Sequence, residues 1–139
     1  MTSKRYIIDT NVLIEMIHEN KTLQAHLKKV GTDCCCISVL SVQELYYGIY
    51  NALSQYQVQE ELRVDKILHR FPIVPIPEDG HAFGRIKARL RQSGRMIDDF
   101  DILIAATAIK HGLTVVTDNL KHFSRIDGLT IENWIERDN

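Results

Sequence analysis

Apolar residues along this chain follow two habits. Some form short unbroken runs that end in a polar residue; others recur every three or four positions. The runs Tyr6-Ile7-Ile8, Cys34 to Ile37, Pro72 to Ile76 and Leu113 to Thr117 have the length and continuity of strands buried on both faces. Leu129-Thr130-Ile131 suits an edge strand. Between them the spacing predicts helices over Asn11 to His18 and Asn20 to Val30, the second stopped by Gly31. A long helix is expected from Ser41 to about Leu53, and a more polar one from about Val58 to Arg70. Phe83, Ile86 and Leu90 fall at i, i+3 and i+7 of a helix ending near Gly94, and Asp98 to His111 reads as a very apolar helix closed by Gly112. Strands alternating with helices predict an α/β fold, a parallel sheet of four to five strands flanked by helices. No linker, repeat or low-complexity segment interrupts residues 1–139, so a single domain is expected.

Charge narrows the function classes. The chain carries 17 basic and 18 acidic residues, a formal charge of -1, which excludes a globally basic nucleic-acid binder. Any such contact must come from a local patch. Arg85, Lys87, Arg89, Arg91 and Arg95 provide one, within eleven residues that contain no acid. They suit either a solvated helix face or contact with an RNA backbone. No apolar run approaches the ~20 residues that span a membrane, and the apolar stretch before Asp9 is too short for a signal peptide. The three cysteines are consecutive, Cys34-Cys35-Cys36, which is neither a disulfide framework nor a zinc pattern. A cytoplasmic protein without membrane contact is the expectation.

The acids carry the candidate chemistry. In open α/β sheets, sites form beyond the carboxyl ends of the strands. Asp9 sits there after the first strand, and Asp118 and Asn119 after the strand ending at Thr117. Glu44 lies about one turn past the Cys34-to-Ile37 strand. Asp98, Asp99 and Asp101 open the helix before the 114–117 strand, with Asp98 and Asp101 on one helix face. Each has a purely structural reading. Asp9 suits a helix cap, Ser41-x-x-Glu44 has the form of a capping box, and Asp98 and Asp99 complement a helix dipole. Asp101 is harder to explain so, because it borders the apolar run Ile102 to Ala106, where a lone carboxylate is expensive. If these acids converge, their mutual repulsion calls for a cation. Oxygen donors without Cys or His suit Mg²⁺, with Mn²⁺ as substitute.

At these residues the chain resembles the PIN-domain ribonucleases, and within them the VapC-type toxins of toxin–antitoxin pairs. The resemblance runs from Ile7 to about Trp134. It rests on Tyr6 to Ile14 with its Asp9-Thr10-Asn11, on Ile37 to Gly48 with Glu44, on Phe100 to Ala108 with Asp101, and on Leu113 to Asn119 followed by Phe123. It implies a single PIN-like domain and a magnesium- or manganese-dependent endoribonuclease that attacks RNA with water. Asp9, Glu44 and Asp101 match the family's three central metal-binding acids. The fourth position falls on Asn119, a neutral amide, with Asp118 one residue earlier; Asp98 and Asp99 are further candidates to supplement the site. Thr10, Asn11 and Thr117 match supporting positions, and Arg85, Arg89, Arg91 and Arg95 become candidates for RNA contact. The resemblance also implies a homodimer and a cognate antitoxin.

Tyr46, Tyr47, Tyr50 and Tyr56 crowd one region beside Leu45, Ile49 and Leu53, more apolar surface than one helix face buries. Core packing and a protein interface both account for it. Two rival classes stand beside the nuclease: a non-catalytic PIN-like scaffold, in line with the neutral Asn119, and a phosphoacceptor receiver domain. A receiver needs an aspartate at the end of its third strand, and here that strand ends in Pro75-Ile76-Pro77.

Overall fold

A computed structural model describes residues 4–136. Five parallel strands form one sheet: β1 (Tyr6–Ile8), β2 (Cys35–Ser38), β3 (Ile73–Val74), β4 (Thr114–Val116) and β5 (Ile131–Glu132). Their spatial order is β3-β2-β1-β4-β5. The chain builds outward from β1 in one direction, then returns to build the other half, so the order reverses between β1 and β4. Such a reversal opens a crevice at the carboxyl edge of the sheet. A receiver-type sheet runs 2-1-3-4-5 instead, and neither of the last residues of β3 is an aspartate.

Side chains alternate across the sheet because the strand period is two. Tyr6, Ile8, Cys35, Ile37 and Val116 face one core layer, with Val12, Leu13, Leu23 and Val64. Ile7, Cys36 and Val115 face the other, with Leu90, Ile102, Ala105 and Phe123. The first layer is covered by α1 (Thr10–Ile17), α2 (Lys21–Val30), α3 (Val39–Asn51) and α4 (Ser54–Leu68). The second is covered by α5 (His81–Gln92), α6 (Asp99–His111) and α7 (Leu120–Phe123). Burial on both faces explains why the strands lack any polar alternation. Trp134 closes the first layer, its ring stacked on His26 and edge-on to Tyr6. Among the described residues no helix is long and apolar enough to cross a membrane.

Several boundaries differ from those the sequence predicts; strand β2, for one, runs Cys35–Ser38 rather than Cys34 to Ile37, and β3 is only Ile73–Val74. Helix α3 starts at Val39, capped by Ser38, whose Oγ accepts from Leu40 N at 3.1 Å. Ser41 therefore lies inside the helix, fully buried, and Ser41-x-x-Glu44 is no capping box. Helix α4 begins at Ser54 rather than Val58, because its first turn is polar and exposed and leaves no apolar rhythm. The edge strand β5 falls at Ile131–Glu132. Helix α6 ends as expected, at Gly112 in the left-handed region (φ 65°) that glycine adopts without strain.

Cys35 and Cys36 are buried in β2, and burial pushes their thiols up to about 12 and about 11. They are packing residues with little thiolate character.

Candidate active site

Asp9 leaves β1 at the crevice and is almost wholly buried, 4% exposed. Its carboxylate is held at both oxygens. Oδ1 accepts from Thr10 N at 2.9 Å, and Oδ2 accepts from Thr117 Oγ1 at 2.9 Å. Thr117 is itself fixed, because its Oγ1 accepts from Asn119 N. Burial raises the Asp9 pKa to about 7; the Thr117 hydrogen bond opposes that rise, and the charges of Asp101 and then Glu44 add to it. These electrostatic couplings bring the three acids into one field.

Glu44 reaches the crevice from the second turn of α3. Its Oε1 lies 2.7 Å from Thr10 Oγ1, which also lies 2.9 Å from the buried Ser41 Oγ. A hydroxyl has one proton to give, and the carboxylate is the stronger acceptor. Thr10 thus serves both acids, Asp9 through its backbone N–H and Glu44 through its side chain. Ser41 completes this chain, a role the sequence pattern disguised as capping.

Asp101 enters from the first turn of α6. Its pKa rises to about 6, first through burial, then through the charges of Asp98 and Glu44. His122, on α7, stands with Nδ1 3.9 Å from Asp101 Oδ2 and 2.8 Å from the Asn119 amide nitrogen. Asn119 accordingly holds an imidazole against Asp101. No motif drew attention to His122. Its signal was only its place three residues beyond Asn119.

The remaining candidates part company. Asp98 caps α6, accepting from Phe100 N at 2.9 Å, and contributes charge beside Asp101. Asp99 turns to α5 and pairs with Lys87 at 2.9 Å. Asp118 is half-buried after β4, and Asn11 is exposed on the first turn of α1. The basic residues do not form one strip. Arg85 and Arg89 line a more enclosed pocket with Ile86, Ile109 and Arg125, and Arg89 pairs with Asp127 at 3.1 Å. Arg91 lies with Lys87 along another face of α5, and Arg95 is exposed beyond its end. The pocket of Arg85 and Arg89 holds none of the candidate site acids; its one carboxylate is Asp127.

The donor set fits a hard dication. The two most perturbed acids are oxygen donors raised by burial and by like charge, so a cation would relieve both strains. Among the described residues no three Asp, Glu, His or Cys side chains are gathered tightly enough to enclose an ion by themselves. Mg²⁺ suits such a site, because it keeps several waters and takes only one or two carboxylates.

Fold and site together define a parallel α/β domain with a carboxylate pocket at its switch point, and known proteins share it. The PIN domain matches residues 6–129. Ribonuclease VapC2 of Haemophilus influenzae is 35% identical, over 94% of this chain and 98% of its own length. The tRNA(fMet)-specific endonuclease VapC of Salmonella typhimurium is 31% identical, over 94% and 98%. The crystal structure of VapBC2 from Rickettsia felis, bound to a DNA fragment from their promoter, superposes with a TM-score of 0.85 at 29% identity, covering 93% of this chain and 98% of that one. The chain belongs to the PIN-domain family, and within it to the VapC-type members.

Proposed function

We propose that this protein is a divalent-metal-dependent endoribonuclease and the toxin of a toxin–antitoxin pair, acting in the cytoplasm. The observation that carries the reading is Asp9, a buried carboxylate pushed to about 7 in the field of Asp101 and Glu44, at the crevice where the strand order reverses. A PIN-type relative 35% identical and named a ribonuclease supports the same chemistry. VapBC complexes among the structural relatives support an antitoxin partner.

Asp9 and Asp101 would hold Mg²⁺ or Mn²⁺, with Glu44 as ligand or through water. Bound there, the ion supplies charge to anchor a phosphodiester and lowers the pKa of water. The chain's own residues set the geometry. Thr117 and the Thr10 N–H fix both oxygens of Asp9, so it meets its partners in one orientation. Thr10 and Ser41 restrain Glu44. The Asn119–His122 pair borders Asp101.

Cleavage of total RNA in Mg²⁺, in Mn²⁺ and in EDTA tests the reading, with Asp101→Asn as control. Cutting that requires the metal and Asp101 supports it. A folded protein that binds RNA but cuts none under any condition favours the non-catalytic scaffold.

A further inference from the structure

The acids do not stand against bare solvent. A cleft of about 650 Å³ opens beside them, between α1, α3 and the start of α6. Glu44 and Asp98 form its polar wall; Ile14, Tyr47 and Phe100 form its apolar one. Those three are unusually open for their size, at 38%, 70% and 38% exposure. Gly48 has no side chain to fill the cleft and borders open space, with nothing within 4 Å of where its Cβ would be. Thr10 and two neutral amides, Asn11 and Gln43, complete the lining, and no lysine or arginine takes part.

This chemistry selects its occupant. With two carboxylates and no cation, the cleft is a poor seat for a phosphate or an acidic peptide. Flat aromatic faces beside amides suit a neutral planar group with hydrogen-bonding edges, which is the description of a nucleobase. The location agrees. A phosphodiester held at Asp9 and Asp101 carries its bases within one nucleotide's reach, and the cleft adjoins the site along Glu44.

We propose that the Tyr47–Phe100 cleft seats an unpaired nucleobase next to the scissile phosphate. The base packs against both Tyr47 and Phe100, and Gln43 reads its edge. This rests on the nuclease reading above and adds a specificity pocket to it. A base must leave its duplex to expose both faces, so the cut site is unpaired at this position.

The test uses the full chain and a cut site first mapped with wild-type protein in total RNA with Mn²⁺, then copied into a short synthetic RNA. Tyr47→Ala and Phe100→Ala are compared with Tyr47→Phe and Phe100→Tyr. Each alanine variant should raise KM about tenfold, the scale of one base–aromatic stack, and the aromatic replacements should restore it. An abasic nucleotide beside the cut should cost wild type the same factor and cost Tyr47→Ala little more. Annealing a complementary strand over the cut should stop cleavage. Unchanged KM in the alanine variants, or equal cutting of abasic and intact RNA, would overturn the proposal while leaving the nuclease reading intact. So would alanine variants that cut normally but lose self-association in sedimentation, which would make the cleft a protein interface. A wild-type protein that cuts no RNA with either metal removes the nuclease reading itself, and the cleft's role with it.

Discussion

Thr117 Oγ1 donates to Asp9 Oδ2 at 2.9 Å, tying together residues 108 positions apart across the β1–β4 pairing. The bond lowers the pKa of a carboxyl that burial pushes up. Thr117→Val keeps the shape and deletes the donor. Asp9 should then hold its proton to still higher pH, and the acid limb of metal-dependent cleavage should move to higher pH. A pH–rate profile unchanged by Thr117→Val would count against this control of Asp9.

The metal-free protein should lose stability as pH rises from about 4 to about 7. Asp9 has a native pKa of about 7 against 3.8 in the unfolded chain, so across that window the native state keeps a proton that the unfolded state has released. Stability is therefore highest below the unfolded value and falls through the native one, by on the order of 4 kcal/mol for the whole three-unit gap. Asp101 acts in the same direction but more weakly, because it is partly solvated. Asp9→Asn should flatten the slope and raise the metal-free melting temperature at pH 8. Denaturant unfolding at several pH values reads both.

Mg²⁺ or Mn²⁺ should reverse that loss. An ion bound only by the native state adds about 2.7 kcal/mol at a hundredfold excess over its Kd. The melting-temperature rise should be larger at pH 8 than at pH 5, where protons compete for the same carboxylates. Millimolar metal that shifts nothing at pH 8 would remove this pocket as an ion site.

Asp101→Asn should abolish metal-dependent cleavage with little loss of folding, since the amide keeps size and shape. Asn119→Ala should leave substantial activity, because its amide acts on His122 and contributes no charge. Asp99→Asn should change activity little and stability by less than about 1 kcal/mol, the usual worth of an exposed ion pair such as that with Lys87. If Asp99→Asn were as damaging as Asp101→Asn, the separation of these two acids would be mistaken.

Glu44→Gln keeps an oxygen for the Thr10 hydroxyl, so its stability should match wild type and its lost activity should report charge alone. Thr10→Val is different. It strands the buried Ser41 hydroxyl, at a cost of about 1–3 kcal/mol, and frees Glu44. Thermal melts run beside cleavage assays separate the two effects.

The strands were legible in the sequence because they leave strong local marks, and the three candidate acids stood out there beside them. Buried parallel strands are unbroken apolar runs; Asp9 ends one, Asp101 borders the apolar helical run Ile102 to Ala106, and Glu44 stands out only within the family-like block Ile37 to Gly48. What was not legible depends on neighbours distant in sequence. Ser38 and Ser41 both precede apolar residues, and only the packing of Thr10 against Ser41 shows which lies inside the helix. Helix α7 has four residues, too few to show a period, so His122 had nothing to announce it. The basic residues of α5 look continuous in one dimension, yet their turns around the helix send Arg89 toward Asp127 and Lys87 toward Asp99.

The strand order has a consequence for the protein's own birth. A ribosome that has made everything as far as α6 has already supplied Asp9, Glu44 and Asp101, but not the strand that lies against β1 on its other side. Until β4 docks, Asp9 lacks Thr117 and the crevice lacks a wall. On the proposed activity, the nascent chain should therefore gain its RNA-cutting power only after β4 is made, and chains stalled before Leu113 should cut nothing when purified on their ribosomes and given metal.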